Sequence, residues 1–312
     1  MQSRDSLPNL DNGGLIRRRF RGCLLGLAVG DALGAPVEGM EAEEIGNRYG
    51  RLQEMVGGGP LDLAPGHYTD DTAMALCIAR SLQSLGCFDP MDVAQRFLER
   101  MENGSPGLGR TTATALTIIK SGTPWYDASY LAYKSLGDSS ASNGCIMRCA
   151  PVGLLHFRDP TRLVHDSIDS SVITHWDRRC RWATVAVNRA IARLVRRDRS
   201  ATLFEAAIGL QEAQVSSAIM QVASLKLEHL VPSGYVLDTL QCALWCFTNT
   251  ESFEEALVTA VNLGGDADTI GAVTGALAGA YYSERGIPER WLEPLQDRGD
   301  IETLADRLWE MA

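Results

Sequence analysis

Glycine returns at every fourth position in two parts of this chain, at Gly22, Gly26, Gly30 and Gly34 and again at Gly271, Gly275 and Gly279. Both sets sit among apolar residues, Phe20, Leu24 and Leu27 in the first and Ile270, Ala272, Val273, Ala276 and Leu277 in the second. A spacing of four lays the glycines along one nearly axial stripe of a helix. Each costs about 0.8–1 kcal/mol relative to alanine inside a helix, so such a stripe needs compensation. Close approach of a second backbone supplies it. The expectation is that the helix over 17–33 and the helix beginning near 270 cross in the core. Their adjoining ends, 31–38 and 266–269, then meet at one cavity.

The rest of the chain supports helices around that pair. Of 312 residues 45% are hydrophobic, enough for one sizeable core, and only 7% are aromatic. Helical periodicity is read over 90–101, 111–120, 126–136, 177–197, 201–215, 235–248, 252–263 and 301–311, and no strand pattern of period two persists. The fold expected is all-α, a compact bundle of a dozen or more helices in a single domain over 14–312, after a flexible tail over 1–13. Gly57-Gly58-Gly59 lies in a loop without the lysine and Ser/Thr of a phosphate cradle, and is read as flexible. A net charge of −10 with scattered arginines argues against nucleic acid or an anionic membrane as the main partner. The eight cysteines form no C-x-x-C pair and are read as reduced core thiols. No signal-peptide pattern precedes the first helix, and no uncharged apolar run reaches about 18 residues. A cytoplasmic monomer is expected.

Charge appears in unusual places. Asp266, Asp268 and Thr269 stand between Gly264-Gly265 and the second striped helix. One such residue is explained as a helix cap, worth about 0.5–2 kcal/mol. Two carboxylates are not, because an unpaired buried charge costs more than a cap returns. Thr69-Asp70-Asp71 repeats the composition ahead of another apolar helix, where Met74, Cys77, Ile78 and Leu82 keep the helical period up to Gly86. Alone, that triplet reads as a cap. Two such clusters, nearly two hundred residues apart, shift the balance toward ligation. Four carboxylates brought together repel unless cations lie among them. Oxygen ligands without Cys or His suit Mg2+ or Mn2+, and ion pairs about 3.5–4 Å apart recur in hydrolases.

Five ordered motifs resemble the ADP-ribosylglycohydrolase family. They are Gly22-Cys23-Leu24-Leu25-Gly26 through Gly30-Asp31-Ala32-Leu33-Gly34 to Glu38; Tyr68-Thr69-Asp70-Asp71-Thr72; Ser142-Asn143-Gly144 with Met147-Arg148 and Ala150-Pro151; Thr174-His175; and Gly264-Gly265-Asp266-Ala267-Asp268-Thr269. The resemblance runs from Gly22 to about Tyr282. It implies an orthogonal α-helical bundle and two divalent cations, Mg2+ or Mn2+, held by Thr69, Asp70, Asp71, Asp266, Asp268 and Thr269. It implies catalytic roles for Glu38, Asp70 and Asp268. Substrate contacts are implied for Asp31, Ser142, Asn143, Gly144, Met147 and His175, with Asn143 and Gly144 at the diphosphate and His175 at the nucleotide portion. The reaction implied is hydrolysis of the glycosidic bond at the anomeric carbon of the distal ribose of ADP-ribose, releasing it from a modified protein or small molecule.

These residue types suit that chemistry. Positive charge builds at the anomeric carbon as the leaving group departs, and nearby anionic oxygen with an aligned water stabilises it. Glu38 can orient or deprotonate that water, or protonate the departing group. Backbone N–H groups around Ser142-Asn143-Gly144 can meet a diphosphate in an otherwise acidic protein. Plainer roles stand beside these: Asp31 ordering the site, His175 as a satisfied core histidine, Arg148 paired with a buried acid, Trp125-Tyr126 as packing. His67, His156, His165 and His229 lack metal spacing. Relatives acting on ADP-ribosyl-arginine carry an Asp before the helix matching 111–120, where this chain has Ser105-Pro106-Gly107-Leu108-Gly109-Arg110. The linkage is therefore open between arginine, serine and others. Trp176-Asp177-Arg178-Arg179 is also bulkier and more basic than the family pattern. The alternatives are a binuclear hydrolase of another ribosyl or nucleotide substrate, and a non-catalytic ADP-ribose-binding relative.

Overall fold

Helix α1 (Gly13–Gly34) and helix α13 (Ala267–Tyr282) run antiparallel with no side chains between them. A Cβ added at Gly22, Gly26, Gly30 or Gly34 would be driven into the carbonyl oxygens of Gly279, Gly275, Gly271 and Ala267 in turn. The reverse holds for Gly271, Gly275 and Gly279, which face the carbonyls of Gly30, Gly26 and Gly22. The two stripes therefore face each other. They do so as an extended antiparallel seam of about three turns, where a crossing was expected. The seam sets the end of α1 beside the start of α13.

The computed structural model describes residues 13–104, 107–196, 199 and 206–312. Between the paired helices lie α2 (Ala42–Tyr49), α3 (Asp70–Leu85), α4 (Pro90–Glu102), α5 (Arg110–Lys120), α6 (Trp125–Leu136), α7 (Ala150–Leu155), α8 (Pro160–Val172), α9 (Arg178–Val195), α10 (Ala213–Gln221), α11 (Val236–Thr248) and α12 (Phe253–Val261). Helices α14 (Glu289–Leu292) and α15 (Arg298–Met311) close the chain. Among the described residues there are helices and three isolated bridges but no strand, so the fold is all-α.

Several sequence expectations change. Residues 1–12 of the proposed tail lie outside the described residues, and α1 already begins at Gly13. Of the helix expected over 201–215, residues 201–205 lie outside the described residues, Ala206 and Ala207 are helical, the chain turns over 208–212, and α10 starts at Ala213. Helix α8 was missed although Asp159 accepts hydrogen bonds from the N–H groups of Thr161 and Arg162, with Pro160 at its first position. The short helices α2, α7 and α14 offer too few turns for a periodic signal. Gly57-Gly58-Gly59 belongs to a hydrogen-bonded turn, in which Gly58 and Leu63 exchange backbone bonds of 2.7 and 3.0 Å.

Among the described residues one helix, α1 with the turn after it, is long and apolar enough to cross a bilayer, and it is almost wholly buried within the fold. Its length and apolar composition are those of a central core helix. All eight cysteines are unpaired, Cys87 exposed and the others buried. Helix α15 is fastened across α1 by Asp306, which accepts from Arg17 Nε at 2.7 Å and from Arg21 Nε and Nη2 at 2.8 and 2.7 Å.

Gly30→Ala is expected to destabilise the protein by about 3 kcal/mol or more, because a backbone seam has no side chain that can yield. Gly46→Ala, in α2 with nothing within 4 Å of the added carbon, should be neutral or stabilising by up to about 1 kcal/mol. Denaturant unfolding of the two variants checks the contrast. A second expectation concerns acid. The bonds from Arg17, and then Arg21, hold the Asp306 carboxyl well below its usual range. Asp306 therefore contributes stability that is complete above the unfolded carboxyl value of about 4 and is lost as pH falls toward the depressed folded value. Asp306→Asn should cost about 1–3 kcal/mol at neutral pH. In unfolding measured against pH, that difference should shrink below about pH 4.

Candidate active site

A cavity of about 250 Å³ opens where α1 ends and α3, α5 and α13 begin. Its acids come from three separate stretches: Glu38 after α1, Asp70 and Asp71 at the head of α3, and Asp266 and Asp268 with Thr269 at the head of α13. Residues nearly two hundred positions apart in sequence thus share one wall.

The free N–H groups at the start of α3 are met from elsewhere, which releases its carboxylates. Asp31, fully buried in α1, accepts from the Thr69 and Thr72 backbone N–H groups, both at 2.9 Å, and from the Thr72 hydroxyl at 2.6 Å. The Thr69 side chain accepts from Asp71 N–H at 3.4 Å. Capping is therefore done by Asp31 and Thr69. Asp70 and Asp71 are left to the cavity, while Asp31 and Thr69 stand behind its lining.

The head of α13 is held differently. Gly264 and Gly265 adopt positive φ, and Gly265 exchanges backbone bonds with the strand-like turn beside Glu38: Gly39 N–H to Gly265 O at 2.7 Å and Gly265 N–H to Met40 O at 2.8 Å. A Cβ at Gly265 would collide with the Pro232 carbonyl. The pair of glycines therefore ties the Glu38 loop to Asp266. Asp266 makes no side-chain cap; its Oδ2 accepts from Asn143 Nδ2 at 3.0 Å, and Asn143 also donates to Thr239 at 2.9 Å. Asp268 Oδ1 accepts from the Thr269 N–H at 2.8 Å.

The packing of acids shows in their proton affinities. Burial, then Asp268, Asp31, Asp70 and Asp266, push the Asp71 carboxyl well above its usual range. Burial, then Asp266 and Glu38, do the same to Asp268. Asp70 is raised to about 7 by burial and then by Asp31, against the opposing pull of Arg148. Glu38 is raised by burial and then by Asp266. Such a cluster lacks positive charge. Asp71 Oδ2 is buried with no hydrogen-bond partner, and every donor atom on this wall is an oxygen, a set that fits hard divalent cations. Among the described residues, no three His, Cys, Asp or Glu side chains are drawn in as a ligand shell around one point.

On the opposite side Ser142, Asn143, Gly144 and Met147 line the cavity. His175 does not. It is fully buried one layer back, bonded through Nε2 to Ser142 Oγ at 2.9 Å and through Nδ1 to Thr174 Oγ1 at 2.7 Å. Arg148 is fully buried, stacked 4.5 Å from the Phe97 ring and bonded to Thr174 and Met74; among the described residues no carboxylate bonds to it. Trp125 and Tyr126 pack edge to face away from the lining. The basic stretch after His175 is engaged away from the cavity: Asp177 accepts from the Arg179 N–H at 2.8 Å and from its Nε at 2.9 Å, and Arg178 pairs with Glu212. Thr111 and Thr112 at the head of α5, with Gly234, also line the cavity and were not singled out from sequence, and Arg110 of the stretch lacking an acid lies beside them. The paired threonines at a helix start were the available signal.

A helical frame that gathers carboxylates from both ends of the chain around an oxygen-lined pocket defines the class. The chain belongs to the ADP-ribosylglycohydrolase family, whose profile matches residues 13–312. It is 33% identical over 307 residues to the ADP-ribosylarginine hydrolase Tri1 of Serratia proteamaculans, covering 94% of this chain and 80% of that one. It is 35% identical to the ADP-ribosyl-[dinitrogen reductase] glycohydrolase of Rhodospirillum rubrum, covering 91% and 92%. A solved structure described as an ADP-ribosylglycohydrolase-related protein complex superposes with a TM-score of 0.81 at 38% identity, over 95% of this chain and 98% of that one.

Asp31→Ala is expected to remove about 2–4 kcal/mol by orphaning buried N–H groups at the start of α3. Hydrogen exchange should lose protection at Thr69 and Thr72. Protection equal to wild type would show that Asp31 does not hold that end.

Proposed function

We propose that this protein is a metal-dependent ADP-ribosylhydrolase that cleaves the glycosidic bond at the anomeric carbon of the distal ribose. The observation that carries the proposal is the meeting of Asp70 and Asp71 with Asp266 and Asp268 on one cavity wall, beside Glu38. Family membership and the names of the relatives support the same chemistry.

In this reading Asp70, Asp71, Asp266, Asp268 and Thr269 hold two Mg2+ or Mn2+ ions, with Thr69 keeping the α3 end in register. The ions supply Lewis acidity and an anchor for the ribose hydroxyls. The protein's own groups do the rest. Glu38 aligns the attacking water and moves a proton between it and the departing group. Asn143 keeps Asp266 oriented, a supporting contact of the kind on which ligand geometry depends. Ser142, Gly144 and the N–H groups at the start of α5, which no side chain caps, face the diphosphate.

The rim bears on the linkage. Gly107, Gly109 and Arg110 form the side of the cavity where an acid would greet a guanidinium. An exposed arginine there disfavours an arginine-linked leaving group by like charge and favours a neutral, oxygen-linked one. The names of the arginine-directed relatives support the other assignment.

The test is release of ADP-ribose from arginine-linked and serine-linked peptides, measured side by side with Mg2+, Mn2+ or EDTA. Release that requires a divalent ion is expected, with the serine-linked peptide turned over at least as fast as the arginine-linked one. Asp268→Ala should lose cation binding in calorimetry while staying folded. Glu38→Gln should keep cation and ADP-ribose binding and lose about 100-fold or more in turnover. Full activity in EDTA would end the metal assignment, and full activity of Glu38→Gln would remove Glu38 from the mechanism.

A further inference from the structure

A series of five polar side chains runs from the buried cation Arg148 to the cavity wall. Arg148 Nη2 donates to Thr174 Oγ1 at 2.5 Å. Thr174 Oγ1 lies 2.7 Å from His175 Nδ1, and His175 Nε2 lies 2.9 Å from Ser142 Oγ. Ser142 Oγ donates to Thr111 Oγ1 at 3.1 Å. Arg148, Thr174 and His175 are fully buried, whereas Ser142 and Thr111 line the cavity.

The direction of every bond in this series follows from its first member. A guanidinium has donors only, so the Thr174 oxygen accepts from it. Among the described residues the Thr174 hydroxyl has one acceptor for its own hydrogen, His175 Nδ1. Burial, and after it the charge of Arg148, hold the His175 pKa well below the ordinary value, so the ring is neutral and carries one N–H. With Nδ1 accepting, that hydrogen sits on Nε2 and is donated to Ser142. Ser142 passes its own hydrogen to Thr111. Thr114 and Thr117 on the same helix turn their hydroxyls back to the carbonyls of Arg110 and Ala113 at 2.8 and 2.7 Å, and Thr111 makes no such bond among the described residues. Its hydrogen is left for the cavity. Gly144 seats the ring, since a Cβ there would come within 3.0 Å of His175 Cε1.

We propose that Arg148 polarises a one-way hydrogen-bond chain that fixes His175 as its Nε2–H tautomer and presents the Thr111 hydroxyl to the cavity as a donor. Thr111 is then a substrate-binding residue, and Arg148, Thr174 and His175 are positioning residues. At the start of α5, where Gly109 offers no side-chain cap, the acceptor it suits is a phosphate oxygen. The tautomer stands on the hydrogen-bond geometry and the burial of the ring, independently of any ligand; the identity of the acceptor rests on the ADP-ribose reading above.

Two measurements test it. In protein labelled with 15N-histidine, with His175→Gln used to assign the signals, His175 is expected to show a bare Nδ1 and a protonated Nε2 at neutral pH. A protonated Nδ1, alone or in an imidazolium, would overturn the directed chain. Calorimetry with free ADP-ribose should show binding weakened about tenfold by Thr111→Val and recovered to within about twofold by Thr111→Ser. Thr174→Val should shift the His175 nitrogen signals and weaken binding together, with Thr174→Ser restoring both. Wild-type affinity in Thr111→Val would remove Thr111 from the site. A wild-type protein that does not bind ADP-ribose would overturn the ADP-ribose reading and the Thr111 contact with it, while the nitrogen spectra decide the tautomer independently.

Discussion

The contact on which this structure depends is backbone against backbone, between the glycine faces of α1 and α13. With no side chains in the seam, the two helix axes come closer than ordinary packing allows, and an antiparallel pairing fixes which ends adjoin. The last turn of α1 carries Asp31 and the short turn after it leads to Glu38, while the start of α13 carries Asp266, Asp268 and Thr269. One apolar device therefore positions two of the three acidic stretches. Asp31 brings in the third, because its two oxygens hold the first turn of α3 by three hydrogen bonds.

That arrangement concentrates negative charge in a buried setting, which the fold tolerates only through support outside the cavity. Carboxylates crowded together and desolvated bind protons more tightly, and Asp71 and Asp268 are the most strongly affected. Around them stand groups with fixed partners: Asn143 on Asp266, Thr239 on Asn143, Gly265 across to Met40 and Gly39. The buried Arg148 reduces the charge imbalance from behind Asp70 without touching it. The acids are thus oriented before anything binds, at the expense of local stability.

Much of this was legible residue by residue. Glycine at intervals of four is visible in a string of letters, and so is a doubled aspartate ahead of an apolar helix. The division of labour among neighbours was not. Thr69, Asp70 and Asp71 look alike as polar residues at a helix start, yet Thr69 caps while the aspartates turn to the cavity, because Asp31 from another helix has taken the N–H groups they would otherwise serve. His175 stands out in sequence and yet lies behind Ser142, at one remove from the space it was expected to enter. The stretch ending at Arg110 was marked by the acid it lacks, yet Thr111 and Thr112 one step further on did not stand out, since a threonine at a helix start reads locally as a cap.

The sequence alone determined that the protein is helical, that two of its helices must approach without side chains, and that acids wait at their ends. Those properties are local, written in spacing and in residue type. Only the tertiary structure decided that the stripes pair antiparallel, which acids line the cavity and which cap, and that a buried arginine, a threonine and a histidine form a series reaching its wall. Each of those outcomes depends on which hydrogen-bond donor a given oxygen meets, and that partner is supplied by a distant part of the chain.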